Sequence, residues 1–417
     1  MHEIDYSAVC DSLRSYQQPT GRYAELIAKL QADEFIDIAR REAQLDDFGD
    51  DDFLQPLRSL LDSVARDVDF SEQGLSGFRD HIVRCLVTKL RMQDDFVRHP
   101  EILEEDVSDP IVVIGLPRTG TTKMQRILSS LSDNDIQKTS LWKMINPAPF
   151  PNVPAGATDP RIFAASTNEL NSEGRPEYHA AHMSTAMEPE EDGLMCDSTF
   201  DDWVWSSVFA PSVNYYEWVM KRPQMPVYEH LHRMYQYLQW QDGGRRNRLW
   251  VTKNVQHIAH LEELLEFFPK ATLIHCHRDP LVSIPSLAKL TMEVWRPVLR
   301  TVDPQFTGQA MRLWWGTAMS RYMESRRRLS LDERIIDVPY QRIRHDAVNL
   351  VQEIFAQVGR PLSSDQLANV RQWEKDNEQH KNGKHEYSLQ AFGLSDEQIR
   401  SDFSEYMERF DSMLDPT

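Results

Sequence analysis

One run constrains this chain more than any other: Pro110-Ile-Val-Val-Ile-Gly-Leu-Pro-Arg-Thr-Gly-Thr-Thr-Lys-Met-Gln-Arg-Ile-Leu128. Ile111 to Ile114 reads as a short strand buried on both faces, because an unbroken β-branched run leaves no polar side for water. Gly115 to Gly120 is a tight loop. From Thr121 the spacing of Met124, Ile127 and Leu128 predicts a helix with one apolar face. A strand, a glycine-bearing loop and a helix N-terminus in that order form an anion site. The loop amides and first helical N–H groups converge there, and the helix dipole adds positive potential.

The two glycines have the spacing of the nucleoside-triphosphate loop G-x-x-x-x-G-K-[ST], but Thr121 stands where that motif has lysine. The cation lies inside the loop instead, as Arg118.

At 417 residues the chain is long enough for a large core and for two or three domains. Its 41% hydrophobic and 27% charged residues are ordinary for a globular protein. A net charge of −19 argues against a nucleic-acid surface, yet a few local cations suffice for a small anion. Cys10, Cys85, Cys196 and Cys276 are scattered without metal-ligand spacing, which fits a reducing compartment; no metal is expected. The N-terminus lacks a basic and apolar leader, and no run is long enough to span a bilayer, so a cytoplasmic protein is expected.

Residues 1 to about 105 read as a helical segment, with apolar spacing in Tyr23–Leu30, Phe53–Leu61 and Phe78–Leu90 and an acidic turn at 46–52. It carries no identifiable chemistry and is expected to pack on the following domain as a lid or dimer element. From 106 to 417, strands and helices alternate, which implies a doubly wound α/β domain with a parallel sheet. Expected strands are Ile111–Ile114, a short one at Gln137–Leu141, Arg248–Thr252, Ala271–Cys276 and Arg334–Val338. Expected helices run over Pro226–Trp240, Gln256–Phe268, from Asp279-Pro280 onward, Met311–Leu329 and Tyr340–Val358. Pro285 should disturb the helix just before Ser286. Residues 157 to 225, rich in aromatics, histidines and acids, read as an insertion that suits a substrate cleft. Trp142, Trp203, Trp205, Tyr215 and Tyr216 are candidates to line it or to fill the core. In such sheets ligands sit at the strand C-termini, where the polar stretches after residues 114, 252 and 276 lie.

Arg278 leaves the buried strand before it, and Ser286 follows in the first turns of a helix. A guanidinium fork and a hydroxyl are suited to a phosphate. Near the C-terminus, Lys381-Asn-Gly383-Lys384 places a flexible glycine between two cations.

The loop Pro117-Arg118-Thr119-Gly120-Thr121-Thr122 resembles the 5′-phosphosulfate loop of sulfotransferases. The Arg278/Ser286 pair resembles their 3′-phosphate segment, and the Lys381–Lys384 stretch their late loop over that phosphate. With matching order from about 110 to 410, the chain resembles bacterial sulfotransferases that use 3′-phosphoadenosine 5′-phosphosulfate. The resemblance implies transfer of a sulfuryl group to a hydroxyl of a small-molecule acceptor. Pro117, Arg118, Thr119, Gly120, Thr121, Thr122, Arg278, Ser286, Lys381, Gly383 and Lys384 would hold the donor. Arg118 would neutralise charge on the leaving phosphate, and Lys253 resembles the lysine that contacts the sulfuryl group in relatives. Many relatives place a glutamate base after a tryptophan; this chain has Trp142-Lys143. The base therefore stays open among His182, Glu190, Glu191 and His257, with Glu190 and Glu191 alternatively capping a helix at Pro189. Other readings are a catalytically impaired nucleotide-binding protein of the same fold and a nucleotide kinase. A homodimer is left open.

Overall fold

The computed structural model describes residues 6–16, 30–154, 156–168, 170–377 and 388–414. Five parallel strands form one sheet: β1 (Ile111–Ile114), β2 (Ile136–Gln137), β3 (Leu249–Lys253), β4 (Thr272–His277) and β5 (Ile335–Pro339), in the order β2-β3-β1-β4-β5. The alternating side-chain direction of β1 divides its four residues between two cores. Ile111 and Val113 join one cluster with Met124 and Ile127, while Val112 and Ile114 join a larger one on the opposite face. In register with them, Leu273 shares the face of Val112, and Ile274 that of Val113. Both faces are therefore covered, as the unbroken apolar runs require.

Among the described residues, four α-helices precede the sheet: α1 (Tyr6–Arg14), α2 (Ala32–Ala43), α3 (Leu54–Asp67) and α4 (Glu72–Arg98). The helix expected at Tyr23–Leu30 falls almost wholly outside the described residues. Ser71 caps α4 by accepting from the Gly74 N–H at 2.8 Å. Leu57, Leu60, Phe78 and Ile82 pack into the same apolar cluster as the helices around the sheet. Between β1 and β3 come α5 (Thr121–Leu128), α6 (Leu141–Ile145), α7 (Pro160–Ser166), α8 (Pro176–Ala181), α9 (Val213–Met220) and α10 (Met225–Gln241). After β3 follow α11 (Leu261–Phe267), α12 (Pro280–Trp295), α13 (Pro304–Arg328), α14 (Tyr340–His345), α15 (Ala347–Gln357), α16 (Ser364–Asp376), α17 (Asp396–Asp402) and α18 (Ser404–Arg409).

Several boundaries differ from expectation for local reasons. The second strand is only two residues long, and Ser140 instead bridges antiparallel to Pro189. The helix expected at 256–268 is a 3-10 turn, Val255–Ala259, and then α11. Asn254 caps the turn through the Gln256 N–H at 2.9 Å, and His260 leaves the helical region at φ −141°. The helix expected at 340–358 likewise breaks at Asp346, φ −138°. α13 begins earlier than the apolar spacing suggested, because Asp303 accepts from the Gln305 and Phe306 N–H groups and Pro304 occupies the first helical position. α12 runs through Pro285 without ending. All four cysteines are buried free thiols. Among the described residues no helix is long and apolar enough to cross a membrane.

Candidate active site

β1 lies between β3 and β4, so their C-terminal ends present three segments side by side: the loop after Ile114, Lys253 with the turn after it, and Arg278. The chain leaves β1 toward one edge and later crosses to the other, so this is where strand order reverses, the usual crevice for a ligand in such sheets. The loop is drawn tight against β4. A Cβ on Gly115, whose φ is +142°, would stand 2.6 Å from the Cys276 carbonyl oxygen. Thr119 is fully buried and donates its hydroxyl to the Leu116 carbonyl at 2.7 Å. Gly120 (φ +91°) starts α5, and no side chain caps that helix, leaving its first amides open toward the loop.

Arg118 is the exception in this loop. Its φ of +71° is left-handed, a conformation that costs a side-chain-bearing residue on the order of 1–2 kcal/mol. Three hydrogen bonds hold it there. Its Nε donates to Ser286 Oγ at 3.1 Å, its Nη1 donates to the Ala181 carbonyl at 2.9 Å, and its own carbonyl accepts from Arg278 Nη1 at 2.9 Å. The Arg278 guanidinium also lies 4.2 Å from the Tyr340 ring centroid. The two phosphate segments read separately from the sequence therefore meet in one patch.

Lys253 is fully buried at the end of β3. Its Nζ donates to Glu191 Oε1 at 2.6 Å and to Thr122 Oγ1 at 3.3 Å. Beside it, Glu190 is buried, and its Oε1 accepts from His182 Nε2 at 3.0 Å and from Arg126 Nη2 at 3.3 Å. Burial by itself pushes the Glu190 carboxyl up, but the charges of His182, Lys253 and Arg126 overcome it and hold the group well below the usual carboxylate range. Glu190 therefore caps no helix; the segment after it is a short 3-10 turn, Asp192–Met195, without a side-chain cap. Arg126 was not singled out from the sequence, although it sits four residues after Thr122 on the same face of α5.

His257 is not at this cleft. It is buried between Tyr228, whose hydroxyl lies 2.7 Å from Nδ1, and Asp192, 3.1 Å from Nε2. Lys143 also points elsewhere: its Nζ reaches Asp242 at 2.5 and 2.6 Å, at the end of α10, and it does not line the cleft. Lys381, Gly383 and Lys384 lie outside the described residues.

A cleft of about 150 Å³ opens from Pro117, His182, Glu190 and Glu191. Leu287, Leu290 and Val294 of α12 line it at helical spacing, as do Met311 and Trp315 of α13. Leu170, Val204 and Val208 from the insertion close the other side. The aromatics proposed from the sequence are not its walls. Trp203, Trp205, Tyr215 and Tyr216 are fully buried core residues, and Trp142 lies under Arg161, 4.8 Å from its ring centroid. Among the described residues two clusters gather donor atoms, His81/Cys85/Asp197 and His275/His277/Asp337. Both oxygens of Asp337 already accept from Arg326, at 2.7 and 2.6 Å.

A sequence profile described as the Sulfotransferase family matches residues 110–364. The chain belongs to that family. The crystal structure of sulfotransferase STF9 from Mycobacterium avium superposes with a TM-score of 0.79 at 27% identity, covering 91% of this chain and 97% of that one. Sulfotransferase STF1 from Mycobacterium tuberculosis H37Rv shares the fold, with a TM-score of 0.74 at 23% identity over 90% and 99% of the two chains. Among curated proteins, omega-hydroxy-beta-dihydromenaquinone-9 sulfotransferase Stf3 of Mycobacterium bovis and of Mycobacterium tuberculosis is 24% identical over 159 residues. That match spans 37% of this chain and 39% of the relatives' length.

Proposed function

We propose that this sulfotransferase-family chain moves the sulfuryl group of 3′-phosphoadenosine 5′-phosphosulfate to the hydroxyl of a small-molecule acceptor. The observation that carries this reading is the patch in which Arg278 donates to the Arg118 carbonyl and Arg118 donates to Ser286. It brings the expected 5′- and 3′-phosphate segments within one ligand's reach. The fit is chemical as well as spatial: uncapped helical amides, two guanidinium groups and hydroxyls are all donors, suited to a polyanion. Pro117, Thr119, Gly120, Thr121 and Thr122 would complete the hold on the 5′ side.

When bound, the donor supplies the sulfuryl group and a phosphate leaving group; the work of the chain is positioning and electrostatics. Arg118 would face the charge that builds on the leaving oxygen. Lys253, drawn toward the loop by Thr122, would face the transferring group, with Glu191 holding its ammonium in place. His182 is the group we assign as base. With Nε2 donating to Glu190, its Nδ1 bears the lone pair that can take the acceptor's proton. The Arg118 bond to Ala181 fixes the residue beside His182, so cation and base are held together. The name of Stf3 describes a hydroxylated acceptor, which agrees with a hydroxyl as the nucleophile. Lys143 gave the reason to suspect an impaired enzyme, and its bond to Asp242 away from the cleft weakens that reading. A kinase is disfavoured by Thr121 in the position of the phosphate-binding lysine.

Calorimetric titration with adenosine 3′,5′-bisphosphate beside ATP–magnesium tests the donor. Micromolar binding of the bisphosphate with none of ATP is expected; preference for ATP would overturn it.

A further inference from the structure

The acceptor's chemical class can be read from the cleft, on the footing of the reaction just proposed. We infer that the acceptor is an uncharged alcohol on a hydrocarbon body, seated between α12 and α13 with its hydroxyl toward His182. The acidic side chains lining the cleft are Glu190 and Glu191, both at the end where the hydroxyl would sit. No lysine or arginine lines it among the described residues. An acceptor bearing carboxylate, phosphate or sulfate would meet like charge without a cation to pair it.

A sugar is disfavoured on different grounds. Several of the neutral polar groups along the wall are already engaged within the protein. Asn254 Oδ1 accepts from the Gln256 N–H at 2.9 Å, Gln256 Nε2 donates to Ser207 Oγ at 3.4 Å, and Thr291 Oγ1 donates to Met311 Sδ at 3.2 Å. Each sugar hydroxyl buried here without a partner would weaken binding by roughly tenfold. Against this, Leu287, Leu290, Val294, Met311 and Trp315 offer a continuous apolar surface. Their packing gives a methylene chain the same gain that it has in a protein core. Sulfuryl transfer to such an alcohol breaks the bond from sulfur to the bridging oxygen and forms one to the alkoxyl oxygen. The alcohol's proton goes to His182 and the leaving oxygen remains on the 5′-phosphate.

The test uses the full chain with saturating donor and an acceptor panel of linear alkanols from butanol to decanol, 6-hydroxyhexanoate and glucose. Product is read by mass. We expect kcat/KM to rise about fourfold per methylene until the chain outgrows the cleft. 1-Hexanol should exceed 6-hydroxyhexanoate by roughly a hundredfold, the scale of an unpaired buried charge. Comparable or better turnover of the carboxylate or of glucose would overturn the assignment, as would bisphosphate binding with no turnover of any alkanol. Titration with 1-octanol alone reads the cleft independently of the donor. It should bind, and Leu290→Trp, which fills the cleft, should abolish that binding without changing bisphosphate affinity. If 1-octanol binds but the bisphosphate does not, the donor reading fails and the apolar site stands; no octanol binding to the folded wild-type chain overturns the site itself.

Discussion

Single residues show where local chemistry departs from its ordinary state. Arg118 keeps a left-handed backbone in order to reach Ser286 and Ala181 at once. Arg118→Ala should lower turnover by roughly two orders of magnitude or more, the scale of losing a donor to the transition state. Near-normal turnover would remove its assigned role. Asp202 is a different case. Burial pushes its carboxyl up to about 7, with Asp201 and Asp197 adding to the rise, while the Val204 N–H and His257 act against it. The folded protein therefore holds a proton between about pH 4 and 7 that the unfolded chain releases, so this group lowers stability progressively across that window. Asp202→Asn should consequently gain in melting temperature over the wild type as pH rises from 5 to 8. A gap that stays constant with pH would mean that Asp202 is ionised throughout.

At the scale of elements, contiguous features were readable and assembled ones were not. β1, its loop and α5 could be placed because burial, turn and helix follow one another within a few residues. Glu190 could be read as a base or as a helix cap, but not as an ion-paired residue, since nothing in its neighbourhood announces Arg126, which comes from α5. The cleft walls were illegible for a related reason: Leu287, Leu290 and Val294 have the spacing of any core-facing helix. The insertion does line the cleft, through residues such as Leu170, His182, Glu190 and Val208, but the aromatics that drew attention to it, Trp203, Trp205, Tyr215 and Tyr216, fill the core instead. α18 gives the clearest example of remote positioning. The Tyr406 hydroxyl lies 3.2 Å from His277 Nδ1, and its ring stacks on His277, the residue before Arg278, with centroids 5.7 Å apart. Tyr406→Phe should raise the dissociation constant for adenosine 3′,5′-bisphosphate several-fold while leaving that for adenosine 5′-monophosphate unchanged. Equal loss for both ligands would mark a general structural effect instead.

Across the whole molecule, the N-terminal helices and the sheet's helices share one apolar cluster, and polar ties secure the join. Asp67, at the end of α3, accepts from Ser212 Oγ at 2.7 Å and from the Asn214 backbone N–H at 2.8 Å, both at the start of α9. Asp67→Ala should cost about 2 kcal/mol, the range for hydrogen bonds to a charged acceptor. Thermal unfolding should show a lowered midpoint, with bisphosphate affinity of the folded protein unchanged. An unaltered midpoint would mean that the tie contributes nothing to stability.

The contact between Tyr406 and His277, with the Phe410 ring centroid 4.2 Å from that of His277, also bears on how the protein is made. Translation delivers the loop, Arg278 and Ser286 long before α18 leaves the ribosome. A nascent chain therefore carries most of the anion-binding groups while the strand end that aims one of them still lacks its support. Premature termination anywhere before residue 406 would leave that support missing, so a truncated product would keep the loop while losing part of what aims Arg278.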